Sequence, residues 1–299
     1  MGRPASPIPN PQPRRDWADA PEGHVFYGRQ KELATLRKWI LQDRCRLVAI
    51  VGMRGIGKTG LAVRLGMGGV GKTDLSLQLA RGIQDEFDCV IWRSLLNAPS
   101  IHDILRDLIY FLSNHQLNEL PETLDAKILS LLKCLKQQRC LLVLDNVESI
   151  LLGRQLSQLA AVPSPLLSHA GRYREGYDGY GQLFQKIAEV SHQSCLIITS
   201  RESPKNLQTA AVTHEKIRFF QLQGLDIKDA KKIFGAHTSR PDQEVLTEEI
   251  IHFYDGNPLA LNIIQKRIQS VFDGSIADFL AQDNLFFEDI NELLEWHFL

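Results

Sequence analysis

One fourteen-residue unit with the chemistry of phosphate binding occurs twice in succession. It runs GMRGIGKTGLAVRL from Gly52 to Leu65 and GMGGVGKTDLSLQL from Gly66 to Leu79, with eight of fourteen positions identical. Both copies satisfy G-x-x-x-x-G-K-[ST]. That pattern makes a glycine-rich loop whose backbone N–H groups wrap phosphates, with a Lys on the β/γ phosphates and a Thr hydroxyl suited to Mg²⁺. The candidate contacts are Gly52, Gly55, Gly57, Lys58 and Thr59 in the first copy, and Gly71, Lys72 and Thr73 at the end of the second.

A carboxylate belongs beside such a loop. LLVLD places Asp145 at the end of a second apolar run, where open α/β sheets bind ligands. There it can hold Mg²⁺, directly or through water, while the loop Thr (Thr59 if the first copy is used) supplies a second oxygen. The plainer alternative is a cap or turn residue after a strand. Asn146 follows where many ATPases have a second acid. An amide cannot act as a base, so hydrolysis is expected to be slow unless Glu148 orients the water. Glu148 can equally be a solvent-facing residue. In IITSR at 197–201, Arg201 could reach a γ-phosphate or be a surface Arg after a strand.

The elements that must position these residues follow from hydrophobic periodicity. Arg46–Val51, Cys89–Trp92, Cys140–Leu144 and Cys195–Thr199 are continuous apolar runs, as expected of parallel strands buried on both faces. Helical spacing occupies 32–41, 74–85, 101–113, 122–137 and 180–191, an alternation that predicts a parallel sheet flanked by helices. From about Leu225 the pattern is helical throughout, over 226–235, 243–254, 258–271, 275–281 and 286–298. The fold class is α/β, a P-loop NTPase sheet followed by a small all-helical domain. The expected divisions are a Pro-rich mobile tail at 1–24, a nucleotide-binding domain at 25–222, a helical domain at 223–285 and the start of a further helical or winged-helix domain at 286–299. The segment 151–181, with GRYREGYDGYG at its end, reads as a long loop. The last helix has no stop signal, so the chain is expected to be truncated.

The strand at Leu47–Val51 leads directly into the first copy, whereas the better helix follows the second. Using the second copy would require Leu61–Leu65 as the central strand, with Arg64 inside a buried sheet, at a cost of several kcal/mol. The expectation is therefore that Gly52–Thr59 forms the phosphate loop and the second copy protrudes or distorts. Loss of both sites is the third possibility.

Bulk composition narrows the field. The net charge of −1 gives no electrostatic case for nucleic acid or an acidic membrane. No stretch approaches the roughly 18–20 apolar residues of a membrane helix. Five scattered cysteines (45, 89, 134, 140 and 195), without a C-x-x-C pair, read as reduced and mostly buried thiols in a cytoplasmic protein.

In combination, FYGRQKEL at 26–33, the tandem loops, FDCVIWRSL at 87–95, LLVLDNV at 141–147, LIITSRE at 196–202 and GNPLAL at 256–261 resemble the successive motifs of the NB-ARC class of STAND ATPases. DWADAP at 16–21 and YREGYDGYG at 173–181 look similar to cyanobacterial-type members that continue into WD repeats. The resemblance implies that Gly28 and Arg29 lie by the adenine and ribose, and that Pro258 contacts the base from the helical domain. It implies an ATP/ADP switch with Mg²⁺ and slow or no hydrolysis, possible self-association and a protein partner the sequence does not identify. Asn146 and the extra fourteen residues depart from the family pattern. The alternatives are a constitutive P-loop enzyme and a non-binding scaffold.

Overall fold

The computed structural model describes residues 13–22, 26–52, 69–116, 120–152, 171–235 and 241–281. Its described strands are β1 Arg14–Asp16, β2 Leu47–Gly52, β3 Cys89–Ser94, β4 Cys140–Asp145, β5 Cys195–Ser200 and β6 Ile217–Leu222. They form one sheet in the order β1-β3-β4-β5-β2-β6, with every pair parallel. A parallel sheet needs cover on both faces, which is why β2 to β5 are nearly continuous apolar runs. In β2, Leu47, Ala49 and Val51 enter one core while Val48 and Ile50 enter the other.

The first core is closed by α3 Ile101–Leu112, α4 Leu124–Gln137, α5 Asp178–Glu189 and Leu207 of α6 Lys205–Thr213. The second is closed by α1 Gln30–Arg37, which continues into a π-helical turn at Lys38–Gln42, and by α2 Lys72–Ile83. Local chemistry fixes several starts. The side chains of Ser100, Thr123 and Asp226 accept backbone N–H groups of Asp103, Ala126 and Asp229, so three helices begin at residues suited to the N-cap.

The apolar-run reading misses both edge strands. Arg14–Asp16 falls inside the stretch expected to be a mobile or loosely docked tail, and it pairs with Cys89–Ile91. The anchors are polar. Arg14 donates to the carbonyls of Phe111 at 2.6 Å and Leu112 at 3.0 Å and to Gln138 Oε1 at 2.9 Å, while Arg93 holds Asp16 at 2.6 Å. Hydrophobic periodicity carries no trace of such contacts. β6 is only partly buried and flanks β2 at the other edge.

The helical unit comprises α7 Ile227–Phe234, α8 Pro241–Phe253, α9 Pro258–Val271 and α10 Ile276–Ala281. Its core includes Phe234, Ile251, Tyr254, Leu261, Ile264 and Phe279, with Tyr27 of the sheet unit packed against it. The expected helix at 286–298 lies outside the described residues, as does 153–170 of the long loop.

Candidate phosphate-binding site

β2 ends at Gly52 and α2 begins at Lys72, and these two ends touch. A Cβ on Gly52 would lie 3.3 Å from both Lys72 Nζ and Val70 Cγ1. Gly71 caps α2 with φ 87°, a left-handed conformation suited to glycine, and has no side chain with which to cap the helix. The start of a twelve-residue helix is the kind of place where backbone N–H groups can meet an anion. Residues 53–68 lie outside the described set, and with them Gly55, Gly57, Lys58 and Thr59.

The expectation that the second copy protrudes or distorts is corrected here. α2 is a regular helix that starts in the second copy and buries Leu75, Leu77, Leu79, Ala80 and Ile83 beneath the sheet. Strand and helix need not be contiguous in sequence. The strand that precedes the first copy serves the helix that follows the second, so no strand at Leu61–Leu65 is required.

Lys72 and Thr73 point at the end of β4. Asp145, only 2 % exposed, is within hydrogen-bonding distance of the Thr73 hydroxyl at 3.0 Å to Oδ1 and 3.1 Å to Oδ2. The Thr199 hydroxyl donates to Asp145 Oδ1, and the Asn146 amide donates to Oδ2 at 3.1 Å. Asn146 takes a left-handed conformation, φ 61°, and its backbone N–H donates to Thr199 Oγ1 at 3.1 Å. Burial raises the Asp145 carboxyl above the usual carboxylate range, opposed by the Thr199 and Thr73 hydrogen bonds. Burial likewise lowers the Lys72 ammonium, opposed first by the charge of Glu148. Each group suffers desolvation that a bound ligand of opposite charge would offset.

Glu148 sits in the 3₁₀ turn Val147–Ile150, and its Oε1 lies 3.2 Å from Arg201 Nε. Its Oε2 is buried and has no hydrogen-bond partner among the described residues. Arg201, Glu148, Asp145 and Lys72 thus meet at one end of the sheet.

Gly28, Arg29 and Pro258 lie at the seam between the two units. A Cβ on Gly28 would fall 1.9 Å from Asp229 Oδ2, so α7 is pressed against this backbone. The Arg29 guanidinium, 5 % exposed, donates to the carbonyls of Gln223 at 2.7 Å, Gly224 at 3.1 Å and Val70 at 3.3 Å, and to Glu32 Oε1 at 2.9 Å. Its side chain ties Val70, just before α2, to Gln223 and Gly224, between β6 and the helical unit. Pro258 opens α9 behind an Asn257 cap, and the next residue, Leu259, packs on Gly69, where a Cβ would lie 2.6 Å from Leu259 Cβ.

Two contributors escape a motif reading. Thr199 fastens Asp145 from the neighbouring strand, foreshadowed only by the hydroxyls ending β5. Leu259 touches the loop only because the helical unit folds back.

Residues 63–157 match the NB-ARC domain family, a span that includes Lys72, Thr73 and Asp145. A WD repeat-containing protein of Nostoc sp., described as uncharacterized, is 40% identical over 292 residues, covering 96% of this chain and 22% of its own length. Disease resistance protein RRS1 of Arabidopsis thaliana is 26% identical over 262 residues, covering 84% of this chain and 15% of its own length. The chain thus spans less than a quarter of these relatives. Two solved structures share the fold. A STAND protein with a tetratricopeptide repeat sensor from Pyrococcus horikoshii has a TM-score of 0.51 at 17% identity, over 84% of this chain and 31% of that one. A Walker-type ATPase of Pyrococcus abyssi has a TM-score of 0.51 at 14% identity, over 96% and 78%.

Proposed function

We propose that the chain, whose residues 63–157 match the NB-ARC domain family, is an NB-ARC-class P-loop ATPase, a cytoplasmic switch that binds ATP or ADP with Mg²⁺ and hydrolyses ATP slowly. The observation that carries this reading is the convergence of Lys72, Thr73 and Asp145 at the start of α2.

In this reading Lys72 and the first N–H groups of α2 hold the phosphates. Thr73 and Asp145 offer hard oxygens, the donor type Mg²⁺ prefers, and they would hold it. Bound Mg²⁺ would neutralise phosphate charge and polarise the phosphoryl oxygens. The Asn146 amide donates to Asp145 and cannot accept a proton from water. Glu148 has one oxygen engaged by Arg201 and Oε2 left to orient a water, a weak arrangement for general-base work. Slow turnover follows.

The seam supplies the switch. In this reading Gly28 and Pro258 would lie by the base, as the family resemblance implies, and Leu259, packed on Gly69, would rest on the loop that the phosphates order. ADP would hold the helical unit closed, and ATP in its place would change the Leu259 contact and release surface for self-association or an unidentified protein partner.

The test is the nucleotide content of the purified protein after denaturation and chromatography. The expected result is stoichiometric ADP, with turnover far below about 1 per second, the low end for ordinary enzymes. Faster turnover would favour a constitutive enzyme. Absence of nucleotide, with no rise in melting on adding Mg-ADP or Mg-ATP, would sink the reading, since ligand at a hundred times its Kd adds about 2.7 kcal/mol.

A further inference from the structure

The cysteines gather at the end of the sheet opposite Lys72. Cys89, Cys140 and Cys195 open β3, β4 and β5, Cys45 precedes β2, and Cys134 lies in the last turn of α4. Two of them are neighbours in register: Cys89 pairs with Cys140 across the parallel β3–β4 ladder, and both enter the same core. Adjacent strands run about 4.8 Å apart, within the roughly 4.4–6.8 Å Cα separation that a disulfide spans.

Cys89 differs from the others in having a cation against its sulfur. Arg14 Nη2 donates to Cys89 Sγ at 3.1 Å, and the Cys89 thiol donates to Gln138 Oε1 at 3.3 Å. Arg14 also donates to that Gln138 oxygen at 2.9 Å, so the guanidinium is held in place over the thiol. The neighbouring Cys140 thiol and then the Arg14 charge hold the Cys89 thiol below the ordinary thiol range, against burial. The Cys89 neighbour and burial move Cys140 up. Burial pushes Cys45, Cys134 and Cys195 up. A cysteine with a cation on its sulfur and a second thiol beside it has the arrangement of a reactive cysteine with a resolving partner.

We propose that Cys89 and Cys140 form a peroxide-responsive thiol pair, with Arg14 as the cation that stabilises the Cys89 thiolate. The Cys89 sulfur attacks the O–O bond of a hydroperoxide. One oxygen joins the sulfur as a sulfenic acid, and the other leaves as water or alcohol after taking a proton. The Cys140 sulfur then attacks the sulfenic sulfur, the S–S bond forms, and hydroxide leaves as water with the Cys140 proton. Two thiols are oxidised and one peroxide is reduced. Cys89 is 1% exposed, so peroxide reaches it through local opening around the sulfur, which costs less than unfolding the whole chain.

The experiment treats the folded full chain, without added nucleotide, with hydrogen peroxide and then a thiol alkylator, and maps peptides by mass spectrometry. The expected product is a Cys89–Cys140 linked peptide lacking two hydrogens. Cys89→Ser and Cys140→Ser each abolish it, Cys140→Ser leaves a dimedone-reactive Cys89, and Cys134→Ser retains the link. Arg14→Gln shifts the pH midpoint of Cys89 alkylation upward and Arg14→Lys restores it. Absence of the linked peptide, equal oxidation of Cys45, Cys134 and Cys195, or an alkylation midpoint unmoved by Arg14→Gln overturns the proposal. None of these readings depends on nucleotide binding.

Discussion

The Thr73 hydroxyl lies 3.0 and 3.1 Å from the two carboxylate oxygens of Asp145, across 72 positions of sequence. That contact selects the helix of the second copy as the one docked on the Asp145 strand. It also sets which lysine faces the carboxylate, since Lys72 precedes Thr73 at the start of α2.

Lys72→Ala should therefore weaken Mg-ADP binding by at least about tenfold, or ~1.4 kcal/mol. Lys58→Ala should leave the affinity within about threefold, under 1 kcal/mol. Calorimetric titration of the two variants decides the matter, and the reverse ranking would return the site to the first copy.

Asp145→Asn should stabilise the nucleotide-free protein at neutral pH while abolishing the Mg²⁺ dependence of binding. The Asp145 carboxyl is raised in the fold, so its proton is held more tightly there than in the unfolded chain. The contribution to stability is complete below the unfolded value of 3.8 and is lost as pH rises through the raised folded value. Urea midpoints measured across that window should lose this component in Asp145→Asn. An unchanged pH profile would show that Asp145 does not titrate as the geometry implies.

Arg201→Ala should separate stability from nucleotide discrimination. The Arg201–Glu148 pair is partly solvated, with the Arg side chain 43% exposed, so its loss should cost less than about 1 kcal/mol. The ratio of ATP to ADP affinity should nonetheless change if Arg201 reads the γ-phosphate beside Glu148. Thermal melts and competitive titrations read the two effects, and an unchanged ratio would remove Arg201 from the site.

Gly224→Ala tests the seam. The new Cβ would lie 1.7 Å from the Asp255 carbonyl oxygen, a backbone atom that cannot rotate away. Overpacking of this kind costs about 1–3 kcal/mol. Limited proteolysis should then release the helical unit before the sheet unit, whereas a single unchanged transition would mean that the seam yields without cost.

Arg29→Ala removes a guanidinium that fastens the carbonyls of Val70, Gln223 and Gly224. Hydrogen bonds to a charged group contribute about 1.5–3 kcal/mol each. The melting temperature should fall and Mg-ADP affinity should fall with it, because the loop and the linker lose a common tie. A variant that melts lower yet binds normally would confine Arg29 to stability.

The sequence alone determined the parallel sheet, the alternation of strands and helices, and the helical unit. Continuous apolar runs such as LVAIV and CLLVL can be satisfied only by cover on both faces, and that constraint is local enough to read. It also brought out Asp145, Glu148 and Arg201, because each follows such a run at the ligand end of a strand. Only the tertiary structure decided which copy meets Asp145, since two near-identical loops differ in what they pack against rather than in their own chemistry. Contacts between remote segments decided the rest: Arg14 recruits a three-residue edge strand through carbonyls and a thiol, and Leu259 lands on Gly69. Such contacts depend on where distant backbone comes to lie, and no periodicity in the chain encodes that.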